Sequence, residues 1–247
     1  MSVVRRTRET FHPLLHLRRF APARSLLRAV DRPVWSRLKA LDKPVCVRLV
    51  SHASFIALGT TEPKVVALMR RLLREHEISR FWDVGANFGY YAWLAKSIRP
   101  DVEVTLVEPE PANLALIRAT LARHGVDGVR VLAAAASDVN GEATFMRDFD
   151  GALCGTLETL VVESRASLRV PTLRLDSLDG PVDLIKIDVE GHEEQVLAGA
   201  EITIARHRPI VVLECVRDGT PAVHALERRG YRAEQIDRDN YVLVPNA

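Results

Sequence analysis

The run Phe81-Trp82-Asp83-Val84-Gly85-Ala86-Asn87-Phe88-Gly89-Tyr90-Tyr91 constrains the fold more than any other stretch of this chain. An apolar segment ends in an acid, two glycines follow at a spacing of four, and a helical pattern begins. Such a run reads as a parallel strand turning tightly into a helix. Glycine is needed in that turn because side chains would keep a ligand away from the backbone. The alternation continues downstream. Apolar runs predict strands over 80–84, 102–107, 129–133, 183–187 and 210–213. Helical periodicity predicts helices over 90–98, 112–124 (stopped by Gly125), 192–205 and 221–229. Segments 231–236 and 241–244 read as a closing antiparallel pair, and 142–147 with 169–173 as a paired insertion. The chain is therefore expected to be α/β, Rossmann-like, with a mostly parallel seven-stranded sheet, helices on both faces and a C-terminal antiparallel hairpin.

Ahead of this body lies a basic arm. Residues 1–50 hold 12 Lys and Arg against three acids (Glu9, Asp31, Asp42), a charge of +9, whereas the rest carries −7 of the net +2. Leu14, Leu15, Leu17, Phe20, Leu26, Leu27, Val30, Val34, Trp35 and Leu38 recur at helical spacing, broken by Pro22 and Pro33, so short amphipathic helices are expected there. Residues 45–58 read as a strand or hairpin, and a helix is expected over 62–75 with Thr61 as its N-cap and Pro63 in its first turn. This divides the chain into an extension, 1–60, and a main domain, 61–247. Three readings of the arm stay open: contact with an anionic surface, packing across the acidic body or a second subunit as a homodimer, or an organellar transit peptide, which the aromatic and aliphatic residues recurring through the arm oppose. Few aromatics interleave its arginines, so there is no clear nucleic-acid signal.

No apolar stretch approaches the roughly 20 residues that span a bilayer, and the N-terminus lacks the apolar core of a secretory signal. Cys46, Cys154 and Cys215 are scattered, without a CxxC pair. They imply neither a disulfide framework nor a zinc site and fit a reducing, cytoplasmic setting.

Three places carry chemistry. In the first loop, Asn87 stands where the dinucleotide fingerprint G-x-G-x-x-G has its middle glycine, so a pyrophosphate would lose its closest approach. S-adenosyl-L-methionine needs no such approach: Asp83 can take its ammonium, and the backbone N–H groups of Gly85, Asn87 and Gly89 its carboxylate or ribose. Glu108, just past the second strand, sits where an acid accepts both ribose hydroxyls. Asp138 follows the third strand, where it can accept the adenine amino group, although Asp138-Val139-Asn140-Gly141 is equally good turn chemistry. The third place is Asp183 to Glu193. Lys186 within an apolar strand requires a partner, with Asp188 and Glu190 as candidates. His192 is the candidate general base; the alternative is that Asp188, Glu190 and His192 merely cap a helix and satisfy Lys186. Glu214 ends the fifth strand. Asp188, Glu190 and Glu214 could together hold a divalent cation, but nothing in their spacing requires one, so no metal is expected.

Taken together, Asp83 to Tyr91, Glu108-Pro109, Asp183 to Glu193 (DLIKIDVEGHE), Val196 to Ala200 and Arg208 to Glu214 resemble the FkbM family of methyltransferases over roughly residues 80–215. The resemblance implies the class I methyltransferase fold and S-adenosyl-L-methionine as cofactor. It also implies O-methylation of a hydroxyl on a sugar, glycolipid or polyketide-like natural product. Glu108 and Asp138 would serve the adenosine, while Lys186, Glu190 and Glu214 would face the substrate beside the Asp188–His192 loop. It leaves the base open between His192 and Asp188, and it does not cover residues 1–60. Two rival readings are a nicotinamide-dependent oxidoreductase, which the missing glycine opposes, and a non-catalytic Rossmann-type binding protein whose basic arm meets an anionic partner.

Overall fold

The computed structural model describes residues 26, 27, 29–147, 155–157, 167–215 and 220–246. Its centre is a seven-stranded sheet built from β3 (Arg80–Val84), β4 (Glu103–Val107), β5 (Val129–Leu132), β10 (Leu184–Ile187), β11 (Ile210–Glu214), β12 (Tyr231–Gln235) and β13 (Asn240–Pro245). The order across it is β12-β13-β11-β10-β3-β4-β5, and β13 alone runs against its neighbours. Succession runs outward from β3 to β5, then returns to β10 on the other side of β3. Ligands bind at the carboxyl ends of such strands, where the order reverses.

Strand periodicity sorts the side chains onto two faces. Phe81, Val104, Leu106, Leu184, Ile210, Val212 and Val242 lie in one core, beneath α2 (Pro63–Glu75), α3 (Tyr90–Ile98) and α4 (Pro111–His124). Trp82, Val84, Val107, Ile185, Ile187, Val211 and Leu213 lie in the other, against α5 (Glu193–Ala198), α6 (Glu201–His207) and α7 (Thr220–Glu227). Both faces are covered, as the unbroken apolar runs of these strands require. Between β5 and β10 a smaller sheet forms from β6 (Ala135–Ala136), β7 (Gly141–Arg147), β8 (Gly155–Leu157) and β9 (Ser167–Leu173), in which β7 and β9 pair antiparallel as the sequence suggests.

The arm departs from its helical expectation. Leu14, Leu15, Leu17 and Phe20 lie outside the described residues. Leu26, Leu27, Ala29 and Val30 are helical. Val34 and Trp35, however, belong to a strand, β1 (Pro33–Ser36), paired antiparallel with β2 (Val45–Arg48). β-Branched and aromatic side chains suit a pleated surface, and this hairpin docks on the body. The Cys46 N–H donates to Thr120 Oγ1 (3.0 Å), His124 Nε2 meets the Pro44 carbonyl (2.7 Å), and Arg70 donates to the Ala40 carbonyl (2.9 Å). Leu38 and Val47 are buried in the same core as Phe81. Beyond β2 the chain is helical, α1 (Ala53–Leu58), rather than a second strand.

Two other boundaries differ. The N-cap of α2 is Glu62, not Thr61, and its carboxylate makes no capping bond because Tyr91 holds it. The helix expected over 192–205 is two, α5 and α6. Gly199 lies so close to Ser137 that a Cβ there would be 1.9 Å from its carbonyl oxygen, and Asp176 accepts the Thr203 N–H (2.8 Å) within the new helix.

Because Leu38 is 1% exposed within the main core, Leu38→Ala should cost about 2–5 kcal/mol in a single cooperative urea transition. A cost near zero, or a separate early transition, would mean that the hairpin is not part of the core.

Candidate active site

The glycine loop is held by close backbone approach. Gly85 and Gly89 have φ of 78° and 84°, and Asn87 shares this left-handed region at 55°. A Cβ on Gly85 would lie 1.9 Å from the Asp188 carbonyl oxygen, so only glycine lets the ends of β3 and β10 meet. The loop N–H groups are largely engaged within the protein. Gly85 and Ala86 donate to the Val107 carbonyl (2.9 and 3.2 Å), Gly89 to Ala86 (2.8 Å), and Asn87 to Glu108 Oε2 (2.7 Å). This corrects the expectation that these amides wait for a ligand. They lock the loop onto β4 instead.

Glu108 is the hub of that lock. It is buried, and its Oε1 accepts the Glu110 N–H (2.8 Å) and Asn113 Nδ2 (3.2 Å). Burial pushes its carboxyl up to about 8, partly offset by these donors. Asp83 is also buried, with its Oδ2 unpartnered. Burial raises it to about 7, Lys186 acting against the rise and Asp188 adding to it. His52, which the sequence reading passed over, supports the loop from the arm. Its Nδ1 accepts the Arg48 N–H (2.9 Å), so Nε2 carries the proton toward Asn87 Oδ1 (3.1 Å).

A second group of charges surrounds Lys186. By strand parity Asp83, Lys186, Glu214 and Asn240 share the sheet face of Phe81, at its carboxyl edge. Lys186 Nζ donates to Asp188 Oδ2 (3.0 Å) and lies 4.6 Å above the Tyr91 ring. Burial works against its charge, but Asp188, Glu62, Asp83 and Glu214 outweigh it and hold the ammonium well above its usual range. Glu62 descends from the head of α2 and accepts the Tyr91 hydroxyl (2.8 Å). Sequence reading treated Glu62 only as a helix start. The available signal was an acid directly before an amphipathic helix that must lie on the sheet.

His192 faces elsewhere. Its Nε2 meets Ser137 Oγ (3.0 Å), which also reaches Asp138 Oδ1 (3.0 Å). Burial lowers its pKa, with the Asp138 charge opposing. Asp138 itself is exposed, and Asn140 completes the turn by accepting the Arg174 N–H (2.7 Å). The structure thus joins His192 to Ser137 and Asp188 to Lys186, on two sides of one loop. Between them Glu190, half-buried, has φ of 52° and Gly191 of 94°.

Residues 83–233 match the family described as the methyltransferase FkbM domain. This chain belongs to the FkbM methyltransferase family. The 31-O-demethyl-FK506 methyltransferase FkbM of Streptomyces tacrolimicus is 30% identical over 153 residues, covering 49% of this chain and 58% of that protein. A shorter match, 32% identical over 74 residues, links 30% of the chain to 31% of the ribosomal RNA small subunit methyltransferase G of Lactobacillus delbrueckii subsp. bulgaricus. Among solved structures, the methyltransferase FkbM of Methylobacillus flagellatus superposes with a TM-score of 0.50 at 19% identity, over 79% of this chain and 53% of that one. The chain thus spans a little over half the length of these two FkbM proteins. The fold agrees with the class I methyltransferase expectation.

The raised carboxyls set a pH dependence. Asp83 and Glu108 bind protons in the folded chain that the unfolded chain, with carboxyl pKa values near 4, has released, so stability is lost as pH rises from about 4 towards about 7 and 8. Glu108→Gln, which cannot ionise, should gain stability relative to the parent between pH 5 and pH 8.5 in urea melts. A constant difference would place the Glu108 carboxyl near its unfolded value.

Proposed function

We propose that this FkbM-family chain transfers the methyl group of S-adenosyl-L-methionine to a hydroxyl oxygen of a small acceptor, a sugar, glycolipid or polyketide-like natural product. The observation that carries the reading is the lock between the glycine loop and Glu108. It presents a buried carboxyl group at the end of β4 with both oxygens already oriented by N–H donors. Oε2, with a single donor, keeps a lone pair for a ribose hydroxyl, whereas Oε1 already accepts two N–H groups. The residues also fit the rest of the cofactor. Asp83 has a buried oxygen in need of a donor, which an α-ammonium supplies, and Asp138, two residues past β6, is available for the adenine amino group. Asn87 in place of a middle glycine opposes a nicotinamide dinucleotide. The name of the Streptomyces relative, 31-O-demethyl-FK506 methyltransferase, supports an oxygen acceptor.

When bound, the cofactor supplies an activated methyl group on a sulfonium. The chain must then align an acceptor oxygen, exclude water and accept a proton. Alignment contributes several kcal/mol. The aromatic wall of Phe88, Tyr90 and Tyr91, all buried, keeps the loop dry. His192, held neutral by burial, is placed to accept the proton through Nε2 or by way of Ser137. Asp188 is the rival base, and its bond to Lys186 favours a positioning role. Lys186, Glu190 and Glu214 then face the acceptor. We further propose that the basic arm meets an anionic surface or a second copy of the chain, and that the protein works in the cytoplasm. No helix among the described residues is long and apolar enough to cross a membrane.

His192→Ala should lower kcat by about 10²–10⁴-fold and leave S-adenosyl-L-methionine affinity nearly unchanged in calorimetry. Glu108→Ala should chiefly weaken that affinity. Unaltered binding in Glu108→Ala would remove the ribose assignment, and lost binding in His192→Ala would remove the base assignment.

A further inference from the structure

Glu62, Asp188 and Glu214 come from the head of α2, the end of β10 and the end of β11, and each offers a carboxylate oxygen within 4.8 Å of the other two. A hard divalent cation holds oxygens at about 2.0–2.6 Å, so oxygens sharing one ion lie no more than about 5 Å apart. The sequence grouped Glu190 with Asp188 and Glu214 without a spacing that requires an ion; the fold brings Glu62 to the two instead, from more than 120 residues upstream.

A buried amide borders the three. Asn240 is the register partner of Glu214 and is 2% exposed. Its Nδ2 donates to Asp237 Oδ1 (2.9 Å) and reaches Glu62 Oε1 (3.4 Å). Two carboxylates therefore fix which end of the amide is nitrogen, and the remaining Oδ1 has no partner in its buried position. A buried acceptor without a donor costs about 1–3 kcal/mol, and a metal ion removes that cost as well as a donor would.

Charge points the same way. Lys186 is influenced by four carboxyl groups, those of Asp188, Glu62, Asp83 and Glu214. One ammonium and one tyrosyl hydroxyl leave a surplus of negative charge among groups that burial penalises. Two further positive charges bring the cluster close to neutrality.

We propose that Glu62, Asp188, Glu214 and the Asn240 amide oxygen bind one divalent cation of the Mg²⁺ or Mn²⁺ type. The donor set is all oxygen, which excludes soft metals as the natural occupant. The ion would lie at the carboxyl edge of the sheet, against the Gly85 turn, where the Asp188 backbone meets the glycine loop. Its open positions suit an acceptor that brings its own oxygen, and coordination lowers the pKa of a bound hydroxyl. That use rests on the methyl-transfer reading; the binding itself does not.

Mn²⁺ titrated into the full chain without cofactor, followed by calorimetry and by loss of the free-ion electron paramagnetic resonance signal, tests the site. One saturable ion per chain is expected. Glu62→Gln and Glu214→Gln should each weaken it by roughly tenfold or more, while Glu142→Gln, on the exposed face of the small sheet, should leave it unchanged. Should either variant lose its folded circular dichroism spectrum, Asn240→Ala, which removes no charge, takes its place and should also weaken the ion. Absence of saturable binding, or binding indifferent to all of these changes, overturns the proposal. A parallel titration with S-adenosyl-L-methionine separates the two readings. Ion binding without cofactor binding keeps the metal site and removes its role in methyl transfer. Cofactor binding without ion binding removes the metal site and leaves the methyl-transfer reading standing.

Discussion

Burying the Lys186 ammonium is the constraint on which the rest of the site depends. An unpaired ammonium in a central strand would be prohibitively costly, and Lys186 is 2% exposed. Its charge is tolerable only because acids arrive from three directions. Asp83 comes from the neighbouring parallel strand in direct register, Asp188 from two residues along its own chain, and Glu62 from the helix layer above. Each arrival fixes something else. Pairing Asp188 with Lys186 draws the end of β10 toward β3, and that approach leaves no room for a side chain at Gly85. Holding Glu62 over the sheet directs the entry of α2 and occupies the hydroxyl of Tyr91 at the start of α3.

Much of this was legible in the sequence, for a simple reason. Buried parallel strands are continuous apolar runs, so a charge within one announces itself, and spacing narrowed the partner of Lys186 to Asp188 or Glu190, of which the fold supplies Asp188. The acid after β4 and the turn at Gly85 likewise follow from local pattern. What stayed hidden depends on packing between distant segments. Glu62 reads as an ordinary first-turn acid until α2 is laid on the sheet. His52 reads as a residue of uncertain structure until its ring is seen bridging Arg48 and Asn87. The break at Gly199 is invisible for the same reason, since the cause is the Ser137 carbonyl on another element.

The arm shows how tertiary contact overrides periodicity. Trp35 and Val34 recur at helical spacing with their upstream neighbours, yet they lie in a hairpin whose partner strand is anchored to α4 through Thr120. Asp31 steadies the base of that hairpin. It accepts the Arg48 guanidinium (3.0 Å) and the Val50 N–H (2.8 Å), and these bonds together with Ser51 lower its pKa despite burial. Through Arg48 and His52 the hairpin reaches the glycine loop. Residues upstream of the family match at Asp83 therefore help to shape the glycine loop at its start.

The segment from Asp188 to Glu193 serves two neighbourhoods because its backbone reverses between them. Glu190 and Gly191 both take left-handed conformations, an expensive choice for glutamate. Glu193 stabilises the reversal by accepting the Gly191 N–H (2.7 Å). Without it, Asp188 and His192, four residues apart, would continue along one helical or extended path and share surroundings. With it, Asp188 stays among the carboxylates around Lys186, whereas His192 turns to Ser137 at the end of β6, beside the exposed Asp138. His192 is thereby kept apart from the most negative part of the site, where further carboxylates beside the imidazole would favour its protonated form.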